Sequence, residues 1–285
     1  MTEIISKNQK QYKANLHSHS TLSDGNLTPE EMKKYYMEHG YSILAYTDHL
    51  YMRDRSSLND ENFVALNGYE NNLLDWELKG SPTNGLDAKC YHLNFYSPDP
   101  KGGPMVGIVE KYYEHYNKNK TQAQKDICPL VHGFCDPTHS VENANKIIAE
   151  AEKLGYLVVY NHPVWSRHSA SDYLGLKGLC GMEMVNGGSV SGGYADDNQY
   201  IYDEMLRAGQ KIACFANDDN HNLLGREDDS FIGYNVMYPD KFDYEGVFKC
   251  LRDGRSYAST GASIRGVSVK DGKVYVGTEN ASCVK

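Results

Sequence analysis

The sequence predicts an α/β domain built as a barrel. Its 285 residues are long for an average domain, but they suit a single α/β barrel, which commonly needs about 250 residues. Short apolar runs alternate with helical patterns, which is typical of parallel α/β architecture. His, Asp and Glu residues recur where the predicted strands end, and barrels of this class build their active sites at that edge.

The first third of the chain contains four predicted strands and one well-delimited helix. Thr28 is the expected N-cap of this helix, with Pro29 in the first turn and Glu31 at the capping-box position. The helix is expected to end near Gly40. Strands are predicted over residues 14–17, 43–47, 63–67 and 90–96.

The remainder continues the alternation after an irregular stretch. The pattern loosens over residues 98–138 around a polar helix predicted at 109–124, and we expect this segment to be an insertion that covers one end of the barrel. Helices are predicted over 141–154, 198–208 and 244–252, and strands over 156–160, 179–185 and 211–216. A β-hairpin is predicted over 266–278 with its turn at Asp271-Gly272. We therefore predict one domain over residues 1–285, with a C-terminal hairpin extension over 263–285.

Composition restricts the function classes. The net charge is −9 and no basic run is visible, so a large nucleic acid is a poor expectation for the partner. No stretch approaches the roughly 18 apolar residues that a membrane span requires. The first twelve residues are polar and seven cysteines form no CxxC pair, so we expect a cytoplasmic protein with reduced thiols.

The chemistry-bearing residues coincide with the ends of the predicted strands. His17 and His19 lie two apart and project to one face, although a lone His-x-His pair is weak evidence. Six of the eleven histidines fall at such strand ends in polar or acidic company, and this coincidence predicts a metal site. Mixed nitrogen and oxygen ligands suit Zn, Mn or Fe rather than Ca. The candidate residues are His17, His19, Asp24, Asp48, His49, Glu70, His92, His162, Asp219 and His221.

These motifs resemble those of the PHP (polymerase and histidinol phosphatase) superfamily in order and spacing from about residue 12 to 262. The matching segments are His17-Ser18-His19, Ser23-Asp24-Gly25, Tyr46-Thr47-Asp48-His49, Gly68-Tyr69-Glu70, His92, Asn161-His162-Pro163 and Asp219-Asn220-His221. The segment 254–261 also looks like the closing segment of small bacterial PHP proteins. The resemblance implies a distorted (β/α)7 TIM-like barrel with two to three divalent metal ions.

The resemblance also implies a division of the ligands among the ions. The first ion would bind His17, His19, Glu70 and Asp219. The second would bind His92 and His162, with Glu70 bridging, and the third would bind Asp24, His49 and His221. Asp48, next to His49, is expected to act as a supporting or proton-transfer residue.

Three alternatives stay open at this stage. Asp218 could replace Asp219 as the ligand, because the family more often has a small residue before this aspartate. His132 could displace His92 at the second ion. The run Cys128-x3-His132-x2-Cys135-x3-His139 could bind a structural zinc, with a plain packed loop as the favoured interpretation.

The expected activity is that of a metal-dependent phosphoesterase. A small phosphomonoester or short nucleotide would be cleaved by attack of metal-bound hydroxide on phosphorus. Arg167 is the preferred cation for the phosphate, ahead of Arg53, Arg55 and His168. The alternatives are an ester, amide or carbamate hydrolase of the same fold and a non-catalytic metal-binding module. The nine filled ligand positions argue against the module.

Overall fold

The computed structural model describes residues 2–74, 89–118, 132–194, 198–222 and 229–279. Within these ranges the chain forms twelve strands and seven α-helices. The strands are β1 (Thr2–Ile5), β2 (Tyr12–Asn15), β3 (Tyr41–Tyr46), β4 (Val64–Leu74), β5 (Cys90–Tyr96), β6 (Leu157–Tyr160), β7 (Gly181–Asn186), β8 (Ala213–Asn217), β9 (Tyr234–Met237), β10 (Ser256–Ser259), β11 (Ser263–Lys270) and β12 (Lys273–Glu279). The helices are α1 (Pro29–Glu38), α2 (Glu110–Asn117), α3 (Val141–Lys153), α4 (Ala170–Tyr173), α5 (Gly187–Ser191), α6 (Asn198–Arg207) and α7 (Tyr244–Arg252).

The main sheet contains nine of the described strands, in the order β10-β9-β2-β3-β4-β5-β6-β7-β8. Strands β2, β3 and β4 are parallel to one another, as are β6, β7 and β8. Strand β5 runs antiparallel to both of its neighbours, and β9 and β10 form an antiparallel edge beside β2. The sheet thus combines parallel and antiparallel strands.

The sheet curves into a nearly closed barrel, in which a side chain of β9 reaches across to the last strand, β8. Asn235 of β9 is fully buried, and its amide nitrogen donates to the carbonyl of Ala216 in β8 at 2.9 Å. The backbone N–H of Ala216 donates in return to Oδ1 of Asn235 at 3.1 Å. This pair of bonds replaces a strand ladder between β8 and β9. The predicted α/β barrel is confirmed, in a distorted form that has two antiparallel strands more than the seven-stranded expectation.

Helix α1 shows how local sequence sets the elements around the sheet. Thr28 accepts a hydrogen bond from the backbone N–H of Glu31 at 3.2 Å, and the Glu31 carboxylate accepts from the Thr28 N–H at 2.8 Å. Met32 and Tyr36 are buried on the face that packs against the strands beside it. The capping box and the apolar stripe therefore fix both the start and the orientation of the helix.

The C-terminal hairpin belongs to a second sheet. Strands β11 and β12 pair antiparallel and turn at Asp271-Gly272, where both residues have positive φ, as a two-residue hairpin requires. Strand β1 pairs with β11 and completes this three-stranded sheet. The hairpin is confirmed, whereas the four-residue strands β1, β9 and β10 were not predicted.

Two predicted placements along the chain were wrong. Strand β4 extends to Leu74, so Glu70 lies inside a strand rather than after it. His92 lies near the amino end of β5, not at a carboxyl end. Since β5 is antiparallel, its amino end still reaches the edge where β6 ends, and the backbone N–H of Asn161 donates to the carbonyl of His92 at 3.0 Å.

Within the segment predicted as an insertion, the described residues form α2 and a bridge between Ile108 and Phe134. Residues 119–131 lie outside the described ranges, and with them Cys128 and the end of the predicted 109–124 helix. Among the described helices, none is long and apolar enough to cross a membrane.

Candidate metal centre

The first ligand group lies at the mouth of the barrel. It contains His17, His19, Glu70 and Asp219, which come from three segments far apart in the sequence. Nε2 of His17 lies 3.2 Å from Nε2 of His19, and the two nitrogens lie 3.1 and 2.9 Å from Oδ1 of Asp219. Oxygens of Glu70 lie 3.4 and 3.5 Å from the same two nitrogens. Four ligands bonded to one ion at about 2.0–2.2 Å would be spaced roughly 3.3 Å apart in a tetrahedron. The four side chains therefore have the spacing of a coordination shell.

A second group shares Glu70 with the first. Oε1 of Glu70 lies 3.1 Å from Nδ1 of His92 and 3.3 Å from Nε2 of His162. Nδ1 of His92 is buried and makes no hydrogen bond, despite its closeness to the carboxylate. A buried nitrogen and a carboxylate oxygen that approach without bonding are suited to face a common cation.

A third group lies at the more open side of the cavity. Oδ2 of Asp24 lies 3.5 Å from Nε2 of His49 and 3.6 Å from Nε2 of His221. His19 belongs to this group as well, since its Nδ1 lies 3.6 Å from Oδ1 of Asp24 while its Nε2 faces the first group. All nine residues predicted as ligands are thus brought together in three groups.

Backbone hydrogen bonds beyond the strands hold these segments in place. The N–H of His19 donates to the carbonyl of Asn220 at 3.1 Å, and the N–H of Asp219 donates to the carbonyl of His17 at 3.0 Å. Asp219 and His162 have φ values of +51° and +24°, which residues other than glycine rarely adopt. Such strained backbone persists only where the surrounding structure enforces it, and it concentrates at functional sites.

The electrostatics of the centre keep its carboxylates ionised. Burial would raise the pKa of Glu70, but the imidazoles of His92, His17 and His49 hold it well below its usual value. The pKa values of Asp24 and Asp219 are lowered by neighbouring imidazoles in the same way, against the effect of burial. Burial opposes the charged form of His221, yet Asp24 and Asp219 raise its pKa to about 9. A divalent ion would replace such protons as the compensating charge.

Glu183 of β7 supports the first group and was missed in the sequence. Its carboxylate accepts from Nδ1 of His17 at 2.7 Å, from the amides of Asn186 and Asn217 at 2.8 and 2.9 Å, and from the backbone N–H of His162 at 3.1 Å. Glu183 lies inside a predicted strand, next to no motif residue. The signal that could have revealed it is a charged residue within an otherwise apolar strand.

Asp48 is turned into a buried network. Its carboxylate accepts from the N–H and hydroxyl of Ser20 at 2.7 and 2.8 Å and from the hydroxyl of Ser23 at 3.0 Å. Nη2 of Arg55 donates to it at 3.4 Å, and both side chains are buried. Asp48 thus holds the loop that joins His19 to Asp24, and its proton-transfer role stays a prediction.

None of the side chains considered as phosphate-binding cations is among the described residues that line the cavity. Arg55 is engaged by Asp48. Arg167 is exposed and is not among the described residues that line the cavity, so its catalytic role stays a prediction. His168 is hydrogen-bonded to the hydroxyl of Tyr160 and lies 3.0 Å from Nε2 of His139.

Where the structure describes them, the residues that the sequence offered as alternative metal ligands lie outside the three ligand groups. Asp218 accepts a hydrogen bond from the hydroxyl of Tyr36 at 2.9 Å, and burial raises its pKa to about 7. His132 is exposed and lies in none of the three groups. Cys135 donates its thiol to the carbonyl of Gly107. Cys128, the first cysteine of the predicted zinc loop, lies outside the described residues.

A cavity of about 290 Å³ opens above the three groups. Among the described residues its wall contains no lysine or arginine. The lining residues other than the ligands are Trp165, Gly188, Ser189, Ser191, Gly192 and Asp229. The arrangement offers a small, acidic and histidine-rich pocket that could hold two or three cations.

No protein-family model and no curated protein matches the sequence. By structure, the chain is similar to a two-domain protein from Bacteroides vulgatus that contains a predicted PHP-like metal-dependent phosphoesterase, at 15% identity and a TM-score of 0.49, covering 94% of this chain and 74% of that one. A proposed metal-dependent phosphoesterase from Bifidobacterium adolescentis matches at 16% identity and a TM-score of 0.44, over 75% of this chain and 89% of that one. An amidohydrolase from Chromobacterium violaceum matches at 18% identity and a TM-score of 0.42, over 73% and 87%.

One of these three similar structures is thus described as containing a predicted PHP-like domain. All three similarities fall below 25% identity and below a TM-score of 0.5.

Proposed function

We propose that the protein is a metal-dependent hydrolase that uses two to three divalent ions, Zn, Mn or Fe. The observation that carries this proposal is the position of Glu70, whose two oxygens lie within 3.5 Å of nitrogens from all three ligand groups. One carboxylate in this position can be shared between neighbouring ions. Closely spaced ions of this kind lower the pKa of water and bind the oxygens of a phosphoryl or acyl group.

Other side chains around Glu70 would bind the ions or orient the residues that bind them. His17, which is fully buried, would hold the inner side of the centre, while the partly exposed Asp24 and His221 would hold the side that faces solvent. The carboxylate of Glu183 fixes the imidazole of His17 with Nε2 directed at the centre. Asp229 accepts from the backbone N–H of His221 at 2.8 Å and so positions that ligand.

The substrate that we favour is a small phosphomonoester or a short nucleotide. The PHP-like motifs support the phosphoester, and the cavity of about 290 Å³ suits a small molecule. The net charge of −9 argues against a long nucleic acid. With no lysine or arginine in the described part of the cavity wall, the ions themselves would have to offset the charge of the phosphate.

The absence of lysine and arginine from the described cavity wall favours a second candidate, a hydrolase of carboxylic esters, amides or carbamates. A neutral acyl substrate needs no cationic side chain beyond the ions, and the described cavity wall provides none. The histidine and carboxylate ligands would serve this reaction equally well, because the activated water can attack carbon or phosphorus.

The experiment compares p-nitrophenyl phosphate with p-nitrophenyl acetate after chelation and after Mn or Zn is added back. We expect metal-dependent turnover of the phosphate, and metal-dependent turnover of the acetate without turnover of the phosphate would establish the second candidate. His17→Ala should abolish activity without unfolding the chain, while the matched His132→Ala variant, at an exposed position, should keep it. Turnover of neither ester, together with metal-free protein, would refute the hydrolase.

A further inference from the structure

Trp165 is a large aromatic residue at the mouth of the cavity. Its side chain remains 39% exposed, and its ring centroid lies 5.2 Å from that of His92 and 4.9 Å from that of His162. The indole therefore lies directly beside the second ligand group. None of the hydrolytic roles assigned above uses it.

The turn that carries Trp165 is tightly held relative to the ligand. The N–H of Ser166 donates to the carbonyl of His162 at 3.1 Å, and the N–H of His168 donates to the carbonyl of Pro163 at 3.1 Å. Arg167 takes a positive φ of +57°, which closes the turn. The backbone of Trp165 is consequently held in a fixed position relative to His162.

Apart from the metal-ligand candidates, the rest of the described wall combines two glycines with the polar side chains Ser189, Ser191 and Asp229. Gly188 and Gly192 present only backbone, and Tyr194, itself 36% exposed, lies 6.5 Å from Trp165 between ring centroids. Among the described lining residues, Trp165 is the only large apolar side chain that the organic part of a substrate could contact. An exposed indole beside a polar site is suited to stack on a flat ring.

We propose that Trp165 is a specificity-determining residue that stacks on a planar aromatic ring of the substrate, either a nucleobase or an aryl group. The proposal rests on the hydrolase function proposed above and names its substrate class. A ring stacked on the indole would lie beside the ligand imidazoles, so the ester group that it carries reaches the metal centre. Aliphatic and sugar esters lack this contact.

Kinetics with matched substrates tests the proposal. Phenyl phosphate is compared with methyl phosphate, and adenosine 5′-monophosphate with ribose 5-phosphate, on the wild type and on Trp165→Ala and Trp165→Phe. Trp165→Ala should lower kcat/KM for the ring-bearing member of a pair about tenfold to a hundredfold, which is the usual size of a stacking contact, and leave its partner within about twofold. Trp165→Phe should restore part of the loss. The two pairs distinguish an aryl group from a nucleobase.

A matched control is Tyr200→Ala, which removes a 68% exposed aromatic residue of α6 that does not line the cavity. It should leave both substrates of each pair unchanged. An equal loss of kcat/KM for ring-bearing and ring-free substrates in Trp165→Ala would overturn the proposal, because it would make the indole a merely structural residue.

Binding can be measured without turnover, because the chain contains only two tryptophans. In a Trp76→Phe variant, with Trp76 outside the described residues, the emission excited at 295 nm comes from Trp165 alone. Adenosine or phenol should quench it, and ribose should not. Quenching without hydrolysis of any ester would support the stacking site and refute the proposed function. Hydrolysis of the esters, with neither quenching nor a preference for ring-bearing substrates, would support the proposed function and refute the stacking site.

Discussion

Glu183 accepts a hydrogen bond from Nδ1 of His17 at 2.7 Å, and neither side chain has any exposed surface. This bond fixes the imidazole as the tautomer that carries its proton on Nδ1. Nε2 is then left to face Glu70 and Asp219. Histidines that bind metals are commonly oriented by a carboxylate in this way.

Glu183→Gln should weaken metal binding while leaving the ligands themselves unchanged. The amide cannot accept all the hydrogen bonds that the carboxylate accepts from His17, Asn186 and Asn217, so the orientation of His17 is lost. We expect metal affinity to fall about 10- to 100-fold, measured by competition with a chromophoric chelator. Glu150→Gln, an exposed position on α3, is the matched control. Equal affinities in the two variants would show that Glu183 does not support the centre.

Asp48→Asn should act mainly on stability. The change leaves the buried guanidinium of Arg55 without its carboxylate, and the loss of one partner of a buried pair costs about 3 kcal/mol. The measurement is the free energy of unfolding from urea titration, with the exposed Asp203→Asn variant as the control. If Asp48→Asn kept wild-type stability but lost kcat, Asp48 would be a proton-transfer residue after all.

Gly25→Ala should disturb the loop between His19 and Asp24. A Cβ at this position would lie 2.1 Å from the carbonyl oxygen of His19, so the backbone must shift and carry Asp24 with it. We expect the ion held by Asp24, His49 and His221 to be lost, which lowers the metal content by one per chain. Gly40→Ala, where nothing lies within 4 Å of the added Cβ, should strain the backbone without changing metal content. Unchanged metal content in Gly25→Ala would contradict this role of the loop.

His168 should make the metal-free protein less stable in acid. Burial, with His139 nearby, lowers the pKa of His168 to about 3. The unfolded chain, with a histidine pKa near 6.5, therefore binds more protons between about pH 3 and 6.5, and stability falls as the pH drops through this window. For this one group the loss between pH 7 and pH 5 is about 2 kcal/mol.

The measurement for His168 is urea unfolding of chelated protein at pH 7 and pH 5. His168→Asn should remove about 2 kcal/mol of the difference between the two pH values, whatever its effect at pH 7 alone. His132→Asn, at an exposed position, is the matched control. A pH difference unaltered in His168→Asn would mean that this imidazole is free to protonate in the folded state.

Much of the fold followed from local patterns. The capping box of Thr28 and Glu31 and the turn at Asp271-Gly272 are short-range signals, and both formed as predicted. The direction of β5 was not predictable, because an apolar run that is buried on both faces reads the same in parallel and antiparallel sheets.

The metal ligands could be predicted where they belong to short sequence motifs. The grouping of His92 with Glu70 agrees with the expectation, although His92 arrives from an antiparallel strand. Glu183 had one weak sequence signal, its charge inside an otherwise apolar strand, and Trp165 had none, because their roles depend on contacts with residues far away in the sequence. The position of Arg167 depends on a left-handed turn that no glycine or asparagine marks.

The most direct test is the number of metal ions per chain, measured by elemental analysis after reconstitution with Mn or Zn. Because Glu70 is shared by the first two ligand groups, we predict two to three ions in the wild type and at most one in Glu70→Gln, held by Asp24, His49 and His221. A wild-type protein that binds no ion, or a Glu70→Gln variant that keeps the full number, would contradict a centre built around this carboxylate.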